Sequence, residues 1–112
     1  MRNVVHLIGH IGKDPEVKVL TNGNKRATFS IATNDSYKNP RGEKVQETQW
    51  HNVVIWGKLA DLVEQYLRKG QEVVVEGRLV HRVYETQDGV KRFITEIVAH
   101  DFLMVGGRPV AA

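Results

Sequence analysis

Residues 48–56 read Thr48-Gln49-Trp50-His51-Asn52-Val53-Val54-Ile55-Trp56, with two tryptophans six positions apart in a run that otherwise suits a half-buried strand. Strand side chains alternate between two faces, so Thr48, Trp50, Asn52, Val54 and Trp56 share one face and His51, Val53 and Ile55 the other. A small barrel needs only one of these for its core, and the Val53/Ile55 face is the better one. Trp50 and Trp56 are then left outside, about 20 Å apart at roughly 3.3 Å per residue. Exposed indoles imply a partner surface or a ligand with flat faces, and nucleobases are such a ligand.

Upstream, Asn3 to Ile11 alternates Val5, Leu7, Gly9 and Ile11 against Val4, His6, Ile8 and His10. Both faces are largely apolar or aromatic, which predicts a strand covered on both sides. Gly12 to Pro15 turns the chain, Glu16 to Leu20 suits a short strand, and Thr21-Asn22-Gly23-Asn24 is a second turn. Arg26 to Asn34 alternates cleanly, with Ala27, Phe29, Ile31 and Thr33 inward and Arg26, Thr28, Ser30, Ala32 and Asn34 outward. The stretch from Asp35 to Glu47 is polar and turn-rich, with Tyr37 among Lys38, Arg41 and Lys44. It is a long mobile loop or an extended hairpin.

Downstream, Gly57 opens a helix whose Leu59, Leu62, Val63, Tyr66 and Leu67 make one apolar stripe, with Arg68 and Lys69 in its last turn and Gly70 as its stop. Gln71 to Glu85 returns to strand, with Val73, Val75, Leu79 and Val83 on one face, Arg78, Val80, Arg82 and Tyr84 on the other, and a bend at Gly77. Thr86 to Gly89 turns the chain into a last strand, Lys91 to Val105. With the short Glu16–Leu20 strand left aside, the order of three strands, one helix and two strands is that of the OB-fold. The expected fold is therefore all-β: a five-stranded Greek-key barrel with one α-helix between strands 3 and 4. Residues 1–107 form that single domain and residues 108–112 a short tail.

At 112 residues and 41% apolar content the chain fits one domain with an ordinary core. Sixteen Lys and Arg against thirteen Asp and Glu give a net charge of +3, which only weakly favours a polyanionic partner. The absence of cysteine removes disulfides, thiolate metal sites and thiol nucleophiles. No apolar run approaches the length of a membrane span. A protein of the cell interior is expected, with no membrane association.

The strongest constellation is the exposed aromatic set Tyr37, Trp50, Trp56 and Tyr84, interleaved with Lys38, Arg41, Lys44, Lys58, Arg78 and Arg82. A base stacked on such a ring gains about 1–3 kcal/mol whatever its identity, and cations along the path neutralise phosphates. The other reading of any one ring is core or a protein interface. Bases in a duplex have their faces occupied, so isolated rings select unpaired strands. His6 and His10 share a face about 13 Å apart, too far to chelate one metal, and His81 and His100 have no ligand partner nearby in sequence. The histidines therefore read as core or interface residues, with no metal and no cofactor implied. No phosphate loop, nucleophile elbow or His-Glu-x-x-His helix is present, so no catalytic residue and no enzymatic activity is expected.

Several stretches together resemble the bacterial-type single-stranded DNA-binding proteins over Asn3 to about Gly107: GHIGKDPEVK at Gly9–Lys18, the Asn22-Gly23 turn, FSIAT at Phe29–Thr33, QWHNVVIWGKLA at Gln49–Ala60, YLRKGQ at Tyr66–Gln71 and VVVEGRL at Val73–Leu79. The resemblance implies stacking aromatics at Tyr37, Trp50, Trp56 and Tyr84. The family's tryptophan at the first and last of these is tyrosine here, and its phenylalanine at the third is Trp56. It also implies a homotetramer, a dimer of dimers that pairs protomers through the first strand (Val4, His6, Ile8) and uses His51. Family members commonly add a flexible linker and an acidic tip that recruits replication and repair proteins. This chain stops at GGRPVAA, so that recruitment is not assigned to these residues.

The function expected is protection of single-stranded DNA, without sequence specificity, in replication, repair and recombination. The alternative is an OB-fold RNA-binding or primosomal protein. A bacterial cytoplasm, beside the nucleoid, is the expected location, with the mitochondrial matrix second.

Overall fold

In a computed structural model, which describes residues 2–105, the tryptophan run is the second half of a long strand, β4 (Lys44–Trp56). It pairs antiparallel with β3 (Lys25–Lys38) in unbroken register, from Arg26 opposite Trp56 to Lys38 opposite Lys44. The polar stretch between them is thus an extended hairpin in which only Asn39 to Glu43 turn. There the Asn39 side-chain oxygen accepts from the backbone N–H groups of Arg41 at 3.0 Å and Glu43 at 2.9 Å. An Asx-type turn of this kind lets strand pairing run to the tip of a ribbon that buries little.

Three more strands complete the barrel: β1 (Val5–Ile11), β5 (Glu72–Glu85) and β6 (Lys91–Met104). The sheet runs β1-β5-β6-β4-β3 and closes where His10 and Ile11 of β1 pair with Ala32 and Ile31 of β3. The β4–β6 pairing is parallel and the others are antiparallel. A short strand, β2 (Glu16–Val19), lies beside β3 on the same edge that meets β1, further along at Lys25–Thr28, and is not one of the five ring strands. The helix α1 (Lys58–Tyr66) follows the third ring strand and precedes the fourth. This is the predicted all-β OB-fold. The bend expected at Gly77 is a bulge, a register shift between Glu76 and Gly77 in the β5–β6 pairing.

Ring closure depends on a close backbone approach. At Gly9 a Cβ atom would lie 2.2 Å from the carbonyl oxygen of Ala32, so only glycine lets β1 meet β3 there. Inside, Phe29, Ile31, Val53 and Ile55 from the long hairpin meet Val73, Val75, Ile97, Ala99 and Phe102. Helix α1 adds Ala60 and Val63 to this core, followed by Leu67, all fully buried.

The helix departs from its expected stripe. Ala60, Val63 and Leu67 line its core side, Leu59 is partly buried, and Leu62 is 38% exposed. A helix packed on this barrel buries a stripe narrower than its run of apolar residues. It also ends at Tyr66, before the two basic residues predicted for its last turn. Arg68 still serves the helix end from outside: its Nη1 donates to the carbonyl oxygens of Glu64 and Leu67, both at 2.8 Å. The Lys69 backbone N–H donates to Asp14 Oδ1 at 2.8 Å, tying the β1–β2 turn to the segment after the helix.

No helix among the described residues is long and apolar enough to cross a membrane. The boundary expected at residue 107 and the tail at 108–112 lie outside the described residues.

Candidate nucleic-acid interface

The unbroken β3–β4 register fixes which side chains share a surface. Arg26, Thr28, Ser30 and Ala32 of β3 lie beside Trp56, Val54, Asn52 and Trp50 of β4 on the outer face, while Phe29, Ile31, Val53 and Ile55 turn inward. Trp50 is 61% exposed and Trp56 42%. The predicted exposure of both rings follows from the core claiming the odd-numbered positions.

The indole of Trp50 lies over Gly12 of the β1–β2 turn, where an added Cβ would stand 2.4 Å from its Cζ3. The missing side chain at Gly12 leaves room for the ring. Trp56 has a different neighbour. The guanidinium carbon of Arg26 lies 5.8 Å from its ring centroid, within cation–π range.

Between the β1–β2 turn and the β5–β6 hairpin, this outer face is a groove of about 550 Å³. Lys13 stands at the turn, Arg26 and Trp56 on β3 and β4, and Arg78 and Arg82 on β5. Bounding by these two connections is the usual arrangement of an OB-fold binding face. Tyr84 sits further along the same face of β5, opposite Arg92 of β6, and is 47% exposed.

The other predicted residues fall elsewhere. Tyr37 is exposed but on the odd-numbered face of the β3–β4 ribbon, the face opposite the two tryptophans. Lys38 and Lys44 pair at the tip of that ribbon, with Arg41 in its turn. Lys58 is the first residue of α1 and does not line the groove. Sequence reasoning missed Lys13 and Arg26 as groove cations. Arg26 was legible as an outward residue, but its placement beside Trp56 depends on a cross-strand register that the local pattern does not give.

Local pairing decides which cations remain open to a ligand. Arg82 is held by Glu96, Nε to Oε1 at 2.6 Å and Nη2 to Oε2 at 3.2 Å, and this carboxylate raises its pKa further. Lys25 bridges Asp61 and Glu64 on α1, both at 2.7 Å, and its pKa is raised by the Asp61 contact and then the Glu64 contact. Both cations are largely compensated within the protein.

The outer face of β1 is separate from the groove. Val4 is exposed and Ile8 is 60% exposed, whereas Val5 and Leu7 pack on the core. The cover expected on both sides is therefore supplied on one side only within a single chain. Ile8, Val74 and Leu103 are in register across β1, β5 and β6. Beside this row, Glu76 accepts from His6 Nε2 and, at 2.7 Å, from His100 Nε2. Its carboxyl is held below the ordinary carboxylate range, by the His6 contact first and the His100 contact second. His51 shares a 2.9 Å hydrogen bond with Thr33 Oγ1 on the face away from the tryptophans. Among the described residues, no group of three His, Cys, Asp or Glu side chains could hold a metal ion.

A closed five-stranded barrel with an aromatic and basic groove on its outer face is the architecture of an OB-fold oligomer-binding domain. Residues 2–105 match the single-strand binding protein family, and the chain belongs to that family. The family is one of non-enzymatic DNA-binding proteins. Single-stranded DNA-binding proteins of two Neisseria meningitidis strains, serogroups A and B, are each 43% identical over 106 residues, covering 95% of this chain and 61% of their own length. Single-stranded DNA-binding protein 1 of Chlorobaculum tepidum is 43% identical over 107 residues, covering 95% of this chain and 66% of its own. The chain thus spans less than two thirds of these relatives. Among solved structures, the Plasmodium falciparum SSB in complex with ssDNA superposes with a TM-score of 0.88 at 36% identity, covering 94% of this chain and 96% of that one.

Proposed function

We propose that this chain binds single-stranded DNA with little sequence preference, as the names of its relatives and the ligand of its structural neighbour suggest. The observation that carries the reading is the pair of exposed indoles on one face of β4, with Trp56 inside a groove edged by Lys13, Arg26 and Arg78. Unpaired bases stack on Trp50, Trp56 and Tyr84, while Arg78 and Arg82 lie along the phosphate path. Tyr37, Lys38, Arg41 and Lys44 meet the strand where it passes around the β3–β4 ribbon, and Lys58 lies beside its exit from Trp56. A duplex, its base faces already stacked, binds poorly.

The acting form in this reading is a homotetramer. Support comes from β1, which pairs with β5 along Val5–His10 but meets β3 only at His10 and Ile11, leaving one edge open. An unpaired strand edge beside exposed Val4, His6 and Ile8 suits pairing with a second copy, and His51 joins the assembly. Several grooves on one strand raise affinity through effective concentration. The roles served are replication, repair and recombination, in a bacterial cytoplasm beside the nucleoid.

Tryptophan fluorescence during titration with oligo-dT, beside oligo-U and duplex DNA, reads the site directly. Strong quenching by oligo-dT with weak duplex binding is expected. Preference for oligo-U would move the chain to the RNA-binding class, and absence of quenching by any single strand would sink the reading.

A further inference from the structure

Arg26 is placed unlike the other cations of the outer face. It stands on β3 with Lys18 of β2 opposite on one side and Trp56 of β4 opposite on the other. Its guanidinium lies 5.8 Å from the Trp56 centroid, and its Nε is buried without a hydrogen-bond partner among the described residues. Among the described residues, no ion pair or side-chain hydrogen bond includes Arg26.

The groove's carboxylates do not compensate it. Glu96 is engaged by Arg82, and Asp14 accepts from the Lys69 backbone. Glu16 lies opposite Thr28, two rungs along from Arg26, and makes no salt bridge to it among the described residues. A buried N–H donor without an acceptor costs about 1–3 kcal/mol, and a neighbouring lysine adds repulsion. An exposed sheet face would accept an uncharged residue at this position without either cost. The terminal Nη groups, unlike the buried Nε, remain accessible, and an anion that meets them offsets the unpaired charge. A guanidinium presents its N–H groups as a planar fork that matches phosphate oxygens, and a flat aromatic ring beneath it limits its rotamers.

We propose that Arg26, seated against the Trp56 indole, binds a backbone phosphate and so positions the adjoining nucleotide for stacking on Trp56. The assignment rests on the single-stranded DNA reading given above. It separates two arginines that composition alone would count alike. Arg26 keeps its charge for the ligand, and Arg82 shares its charge with Glu96.

The experiment is equilibrium binding of oligo-dT across a salt series, with wild type, Arg26→Ala, Arg26→Gln and Arg26→Lys, each checked for a cooperative thermal transition. For single strands, log K falls with log salt by about 0.7 per phosphate neutralised. Arg26→Ala and Arg26→Gln should each flatten the slope by about that amount and weaken binding about tenfold or more. Arg26→Lys should keep the slope and lose part of the affinity, because the charge remains without the fork. Gln preserves side-chain length and reads the slope even if the Ala variant fails to fold. Wild-type slopes in the neutral variants would overturn the assignment. Failure of the wild-type protein to bind oligo-dT would instead sink the functional reading, and the wild-type arm shows that separately.

Discussion

Arg82 and Glu96 face each other across β5 and β6 as a two-bond ion pair, at 2.6 and 3.2 Å, with Glu96 almost wholly buried on the floor of the groove. The guanidinium is the partner that makes this carboxylate tolerable there. Arg82→Ala should therefore lower unfolding stability by about 1–3 kcal/mol, because it leaves a buried acceptor unmatched. Arg78→Ala, on the exposed part of the same face, should leave stability within about 0.5 kcal/mol. Urea unfolding of the two variants distinguishes them, and equal stability would contradict the structural weight given to Glu96.

Trp50→Ala and Trp56→Ala should each weaken binding to oligo-dT by about 1–3 kcal/mol while the domain stays folded, since neither ring belongs to the core. Wild-type affinity in a folded double variant would remove the stacking role.

Gly9 and Gly12 lie three residues apart, yet alanine should do different things at each. At Gly9 the new methyl meets the backbone oxygen of Ala32 at 2.2 Å, where nothing can yield cheaply. Gly9→Ala should cost about 1–3 kcal/mol of stability or more. At Gly12 it meets the far end of the Trp50 ring at 2.4 Å, and the ring can move. Gly12→Ala should shift the Trp50 emission and weaken oligo-dT binding while Tm stays near that of wild type. A lowered Tm with intact binding at Gly12 would reverse this assignment.

Glu76 carries a pH signature. The imidazoles of His6 and His100 hold its carboxyl below its ordinary value of 4.5. A carboxylate whose folded pKa is depressed adds stability that is fully present above its unfolded value and is lost as the pH falls through the folded one. The Tm advantage of wild type over Glu76→Gln should persist above pH 4.5 and shrink on acidification below it. An advantage that grows on acidification would refute the linkage.

His51→Ala removes the partner of Thr33 on the face away from the ligand. Sedimentation should show a smaller assembly than wild type, with single-strand quenching retained per protomer. An unchanged assembly would place the subunit contacts elsewhere.

What could be read from the chain divides along physical lines. The barrel strands were legible because their core faces use alternate positions, so Val53 and Ile55 declared the inside and Trp50 and Trp56 the outside. The ribbon from Asp35 to Glu47 was ambiguous because neither of its faces is buried, and a strand without a core leaves no alternation to detect. The same silence hid Tyr37's position on the reverse face. Helix α1 shows its apolar residues in the sequence but not the width of the surface it packs on, so the periodicity points Leu62 inward although it lies outside. The pairs Arg26–Trp56 and Arg82–Glu96 depend on how two strands slide past each other, which is fixed by the turns at Asn39–Glu43 and Thr86–Val90 rather than by the strands themselves.

The parallel pairing of β4 with β6 gives the barrel an order of assembly as well as a shape. The ribbon of β3 and β4 can zip from its own turn, a local event. β6 must settle between β4 and β5, one of them from the other side of the helix, before the ring has no gap. As the ribosome releases the chain, both flanking strands emerge while the segment that joins them is still being made. A nascent chain stalled before Lys91 would carry two unsatisfied strand edges and a core lacking Ile97, Ala99 and Phe102, a substrate for chaperones rather than a smaller binding domain.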